Sequence, residues 1–351
     1  MTAQAEAGVQ VTGEHPPARR RSTFRLTILI IGLISAALMA LLSLRYGSID
    51  ITNADVWRGI FDYDAASYEQ TAVRFLRGPR TVFGLVVGCA LGVTGAVMQG
   101  VTRNPLADPY ILGVSGGASL GITTAVYFGQ LTGPTEYIWF AFGGAAAAAA
   151  LVYVIGSAGR EGGSPMRLVL SGVITGTLMS AWTAALIYSD ERTRETMRYL
   201  LIGNVAGRKL EDYWILFPIM LLGVGACLVM GHHLNILNLG EDAARAVGMN
   251  TSRMRLGFTA LVVVVAGASV AAAGPIAFVG FAIPHIVRSA SGPDYRWILA
   301  YSAVLGAIVL VGADILGRVL LSPEEFEAGI VMQALGAPFF IYMARRRTLA
   351  S

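Results

Sequence analysis

Ten apolar runs, most of them near the length of a membrane crossing, dominate this chain and limit what it can fold into. They lie at 26–44, 81–101, 110–128, 137–157, 168–188, 213–231, 256–273, 275–288, 296–317 and 328–344. A helix needs about 20 residues to cross the hydrocarbon core, and lipid offers no partner to an unpaired backbone group. Helices are therefore the expected form. Composition points the same way. Of 351 residues, 55% are hydrophobic and only 14% are charged, against about 25% charged in ordinary soluble domains. Mean hydropathy is +0.61. A soluble fold could not hide so much apolar surface. The expectation is an all-α polytopic membrane protein with about ten transmembrane helices.

Residues 1–25 are polar and rich in Ala, Pro and Arg, and read as a disordered cytoplasmic tail. Residues 26–347 read as one ten-helix domain. The first run follows Arg19, Arg20, Arg21 and Arg25 and lacks a small-x-small cleavage site, so it is expected to stay as a span. The stretch 256–288 is too long for one crossing. Gly274-Pro275 breaks it, because proline lacks an amide donor and clashes with the preceding turn. Two spans follow, the second short and containing Pro284.

Charge sets the orientation. With the N-terminus in the cytoplasm, alternation puts 15 of the 26 basic residues inside, among them Arg103, Arg160, Arg345, Arg346 and Arg347, but only 7 of the 22 acidic ones. Basic loops favour the cytoplasmic side. Both termini then share that side, which requires an even number of spans. On this orientation the segment "LNLGEDAARAVGMN", residues 237–250, faces the cytoplasm.

Some chemistry has no sequence support. The sole lysine, Lys209, lies in "GNVAGRKL", which lacks the spacing of a phosphate-binding loop. The histidines His15, His232, His233 and His285 stand at no metal-ligand spacing. No nucleophile–base arrangement is discernible, so the chain reads as a non-enzyme. Cys89 and Cys227 sit in apolar runs and read as free thiols. Intramembrane acids, which proton-coupled carriers use, are scarce. Asp314, in "VGADILGR", stands four residues before Arg318 and can pair with it on one helix face.

Four stretches stand in an informative order. They are "RGPRTVFGLVVGCALGVTGAVMQGVTRNPLADPYILGVSGGASLG" (77–121), the charged 237–250 segment, "GPIAFVGFAIPHIVRSASGPDYR" (274–296) and "GIVMQALGAPFFIYMARRR" (329–347). Together they resemble the FecCD-type permeases, the BtuC-like membrane subunits of type II ABC importers for iron–siderophore, haem and cobalamin. The resemblance runs from about residue 26 almost to the end. One departure is "PEEFEAGIVMQALG", where Glu327-Ala328 replaces an expected proline before the last span.

The resemblance implies ten helices, with the second to fifth and seventh to tenth related as an inverted repeat. It implies a second permease subunit (a copy or a paralogue), two ATP-binding cassette ATPases and an extracytoplasmic binding protein. It implies no directly bound cofactor, ATP and Mg being used by the ATPases, and a place in the bacterial cytoplasmic membrane. The cargo class is a ferric siderophore, with haem or cobalamin as the alternative within the family and an ion-coupled secondary transporter outside it. Gly240 breaks the chain, Glu241 and Asp242 suit a helix N-terminus, and Gly248 can end that helix left-handed. The helix at about 240–248 is therefore expected to couple to the ATPase, through Gly240, Glu241, Ala244, Arg245 and Gly248. Arg77, Arg80 and Arg318 are expected to dock the binding protein by forking its carboxylates. Met98, Gln99 and Asn104 are candidates for the path or inner gate, with helix packing as the competing role. Gly274, Pro275 and Pro284 are expected to shape the broken span.

Overall fold

A computed structural model describes residues 18–110, 113–131, 133–157, 165–320, 322 and 324–348. Arg160, the side chains of Arg19, Arg20, Arg21, Arg346 and Arg347, and residues 1–17 of the expected tail lie outside the described residues. Every regular element among the described residues is helical. Helix α1 spans Ala18–Arg45, so helix begins earlier than the expected boundary at residue 26. Two short helices follow, α2 (Asn53–Phe61) and α3 (Tyr68–Thr71). A π-helical turn, Ala72–Arg77, joins α3 to α4 (Gly78–Thr102). Next come α5 (Val114–Gly129), α6 (Pro134–Ser157), α7 (Pro165–Ser189) and α8 (Glu191–Leu201). The second half holds α9 (Leu216–Val229), α10 (Gly231–Asn238), α11 (Glu241–Ala246) and α12 (Thr251–Ala273). It ends with α13 (Val279–Ser291), α14 (Tyr295–Leu320) and α15 (Ala328–Thr348).

Each apolar run read from the sequence forms helix, but the spans are unequal. Six helices, α1, α4, α6, α7, α12 and α14, are long and apolar enough to cross alone. The α9–α10 pair, bent by 51°, makes a seventh. Helices α5 and α13 have 16 and 13 residues, and the apolar part of α15 is similarly short. The extra helices α2 and α8 are too short and too charged to read as spans. Both are capped from sequence: Thr52 and Asp55 form a capping box on α2, and Asp190 accepts from the Thr193 amide at α8.

Neighbour relations reveal the internal repeat. Helix α4 packs on α13 and α14, while α12 packs on α5 and α6. Helix α5 meets α6 and α7, as α13 meets α14 and α15; α6 meets α7, as α14 meets α15. Exchanging α4–α7 with α12–α15 reproduces this pattern, and α4 lies against α12 at its centre. The two sets are offset by an odd number of spans, so they cross in opposite directions. That is the inverted arrangement the resemblance implied.

Glycine permits the closest of these approaches. A Cβ on Gly95 would overlap the Gly280 carbonyl, one on Gly88 the Gly306 carbonyl, and one on Gly117 the Gly144 carbonyl. Lipid provides no hydrophobic drive for helix association, so backbone proximity and dispersion must supply it. The broken span is equally tight. Gly274 ends α12 at φ +76, where a side chain would strike the Leu200 carbonyl. Residues 274–278 then run without helix to α13, which carries Pro284 in its interior. Phe278 caps α13 at φ +70, with its ring on Gly336 of α15.

Gly95→Val is expected to abolish the folded protein or lower its melting temperature in detergent by many degrees. Gly143→Val, at an exposed site where an added Cβ would meet nothing within 4 Å, should leave it unchanged. Fluorescence-detected melting of the two variants checks the pair.

Candidate functional site

The end of the molecule where α1 finishes, outer on the expected orientation, is closed by buried charge. A helix leaves its last carbonyls unpartnered. Here two arginines take them. Arg77 donates to the carbonyls of Leu44 (3.0 Å), Arg45 (2.7 Å) and Ile49 (2.5 Å). Arg318 donates to those of Ser43 and Tyr46, both at 3.0 Å. Asp314 sits between Arg318 (3.1 Å) and Arg80 (2.8 Å). Arg80 also reaches Glu325 at 2.6 Å, and Ser48 donates to Glu325 at 2.8 Å. The expected pairing of Asp314 with Arg318 is therefore present within a larger network. Beside it, Phe326 donates its amide to the Gly317 carbonyl at 3.0 Å. The segment just before the Glu327-Ala328 departure thus lies against the end of α14.

This geometry corrects the docking expectation. Arg77, Arg80 and Arg318 are only 6%, 9% and 1% exposed. Their guanidinium groups are committed to α1, Asp314 and Glu325, and are not free to fork a partner's carboxylates. They tie α1, α4 and α14 together.

The opposite end holds a second network. Asn235 donates to Asp294 at 2.7 Å and accepts the Tyr295 amide at 2.7 Å. Arg296 bonds Asp294 at 2.9 Å, and Arg25 approaches it at 3.6 Å. Asn238 donates to the Gly100 carbonyl at 3.2 Å, and Arg103 to that of Leu237. Burial pushes the Asp294 carboxyl up, but the hydrogen bonds from Arg296 and Asn235 outweigh it and hold the group at about 2. Helix α10 is thereby fastened to α4 and α14. Sequence reasoning missed Asn235, Asn238 and Asp294, because their spacing shows no link between distant segments.

Helix α11 follows directly from α10. Glu241 and Arg245 pair at 2.8 Å, one turn apart on the helix. Gly240 takes φ +122 with ψ 158, a region open essentially to glycine alone. Gly248 ends the helix at φ +82, and Met249 donates back to the Ala244 carbonyl at 3.0 Å. Ala244 is fully buried against the chain itself, so it seats the helix on the body and is not a contact for a partner. The outward face is Asp242, Ala243, Arg245, Ala246 and Val247, with Leu239 exposed beside it.

The suggested path residues are engaged in packing and turn contacts. Gln99 is buried and donates to the carbonyls of Gly280 (3.4 Å) and Phe281 (3.2 Å), pinning α4 to the start of α13. Met98 is also buried. Asn104 shapes the turn after α4 by accepting the Leu106 amide at 3.0 Å. The competing role, packing, describes Met98 and Gln99. A cleft of about 1020 Å³ lies among α5, α7 and α8. Gly172, Gly176, Thr177, Ser180 and Thr183 of α7 form one wall, Gly116 and Ser119 of α5 another, and Arg194 and Arg198 of α8 a third. Pro275, from the broken span, reaches the same cleft, whereas Gly274 and Pro284 are not among its lining residues. The recurrence of small and hydroxylated residues along one face of α7 is the signal that could have marked it.

Removing Asp314 would leave Arg318 buried without a counter-charge and Arg80 with Glu325 alone. Breaking a buried pair in this way costs about 3–5 kcal/mol, so Asp314→Asn should sharply lower thermal stability, and Arg80→Gln in the same chain should restore part of it. A pH effect is expected at the other end. The Asp294 carboxyl titrates near 4 when unfolded and at about 2 when folded, so its contribution is complete above the first value and fades as pH falls toward the second. Melting temperature between pH 5 and pH 2 should fall less steeply in Asp294→Asn than in the unaltered protein.

The comparisons fit this architecture. The chain is 41% identical over 329 residues to the Fe(3+)-citrate import system permease protein YfmD of Bacillus subtilis, covering 94% of this chain and 97% of that one. It is 38% identical over 283 residues to the cobalamin import system permease protein BtuC of Halobacterium salinarum, covering 79% and 74%. A solved metal-chelate type ABC transporter in an inward-facing conformation superposes with a TM-score of 0.78 at 27% identity, covering 91% of this chain and 99% of that one. The profile of the FecCD transport family matches residues 33–346. This multi-pass membrane protein belongs to the FecCD transport family.

Proposed function

We propose that this chain is the permease subunit of an ABC importer that moves a ferric siderophore across the bacterial cytoplasmic membrane. Its termini are cytoplasmic, and it is a non-catalytic subunit. Two separate ATPase subunits bind ATP and Mg, and an extracytoplasmic binding protein delivers the chelate. A second permease subunit faces the α7 side, where Leu170, Val173, Ile174, Leu178 and Trp182 are exposed. The cleft among α5, α7 and α8 then forms half of the path between the subunits.

The observation that carries the reading is α11. It is a short helix held between two glycines of positive φ, with an exposed outer face and a buried inner one. Such a helix is a rigid knob. Beneath it, α10 connects to Asp294 and Gly100 through Asn235 and Asn238. A push on α11 is thus delivered to α14 and α4, both members of the inverted repeat. Relatives named for ferric citrate and for cobalamin import both match this chain, and iron is favoured because the more extensive match is the one named for ferric citrate. An ion-coupled carrier is disfavoured, since Asp314, the main intramembrane acid, is engaged in ion pairs with two arginines.

Val247 is 67% exposed, so Val247→Asp and Ala243→Trp should leave the fold intact but release the ATPase during co-purification and stop ATP-driven iron uptake. Retention of both the ATPase and uptake would sink the coupling role. Val247→Cys should be labelled by an impermeant maleimide only after cells are permeabilised; labelling of intact cells would overturn the orientation.

A further inference from the structure

The cleft has an uneven chemistry. Its two charged lining residues, Arg194 and Arg198, are both cationic and both exposed. They stand four residues apart on α8 and so share one face, one turn above the other. Around them the wall is otherwise glycine, hydroxyl and apolar side chain. Two of the wall's hydroxyls are already engaged, while that of Ser119 is buried with no hydrogen-bond partner among the described residues. Thr177 donates to the Val173 carbonyl and Thr183 to that of Met179, which spends their protons within α7. Arg194 meets Glu191 in an exposed ion pair, the kind that contributes little and exchanges readily.

Two guanidinium groups against a low-dielectric wall attract negative charge more strongly than they would in open water. Their planar forks match carboxylates. Two-fold pairing with a second copy would double the set. We propose that Arg194 and Arg198 make this cleft selective for anionic chelates that present carboxylates, a ferric polycarboxylate being the simplest. This rests on the permease reading above and narrows its cargo. A cationic or uncharged chelate gains nothing from the pair, whereas an anionic one replaces the present partners of both arginines, Glu191 on Arg194 among them.

The test uses the complete importer, with its ATPase and binding protein, in cells lacking other ferric-chelate permeases. Radio-iron is supplied as ferric citrate or as an uncharged ferric trihydroxamate. Wild type should take up ferric citrate. Uptake should fall about tenfold in R194Q/R198Q, the effect of losing strong charge-assisted bonds. It should be largely retained in R194K/R198K, and any trihydroxamate uptake should be the same in all three. Assembly is checked by co-purification of the ATPase; if the double variant does not assemble, the R194Q and R198Q single variants carry the same comparison. Uptake of the uncharged chelate alone by wild type, equal loss of both chelates, or undiminished citrate uptake in the glutamine variants would overturn the selectivity. Uptake of neither chelate by wild type would overturn the chelate-import reading along with it.

Discussion

The cap that Arg77 and Arg318 place on the end of α1 is the constraint on which that end of the molecule depends. Helix α1 has little else to hold it: most of its side chains face outward, and its principal neighbour is α14. Its final carbonyls would be costly in lipid or at its edge without donors. Two buried cations meet that need and also suit the negative end of the helix dipole. Their own charge requires Asp314, which in turn holds Arg80 at the start of α4. One carboxylate therefore fixes the positions of three helices, and Glu325 extends the bond to the segment before α15.

Between this closed end and the Asp294 network, the membrane interior is organised by backbone contact. Gly88, Gly95 and Gly117 set crossings too close for any side chain. Because equivalent helices in the two inverted sets make equivalent contacts, a shift in one set has a ready counterpart in the other. The α7 face is the exception: it stays open towards α5 and α8, and there the cleft forms. A permease needs this combination of rigid halves and one unfilled flank.

Much of the fold was legible because lipid imposes a length on apolar runs. The long helices, the break at Gly274-Pro275 and the pairing of Asp314 with Arg318 follow from pattern and spacing. The short helix at 240–248 was legible too, since glycine, acid and alanine signal its ends and body. The roles of Arg77, Arg80 and Arg318 were not. An arginine at a span end looks the same in sequence whether it anchors at headgroups, greets a partner or caps a neighbouring helix far away in the chain. Ala244 shows a similar limit: on so short a helix, sequence does not say which side faces the body. Gln99 reads as a polar intruder on a path until its carbonyl partners on α13 are seen. The cleft was hidden because it is made by α5, α7 and α8 jointly, and α8 carries the charge pattern of any solvated helix.

The π-helical turn at Ala72–Arg77 has a consequence for insertions and deletions. Such a turn holds one residue more than the α-helix around it. Deleting a residue there would restore ordinary α geometry and leave α4 continuous. The flanking segments would keep about the same orientation, because the wide turn holds its extra residue within roughly one turn of rotation. The packing of Val73 with Ile51 and Val56, and the reach of Arg77 to the end of α1, lie on either side of that extra residue. The wide turn therefore absorbs a difference of one residue locally, so the register between the α2–α3 segment and α4 survives a change in length that an unbroken helix would convert into rotation.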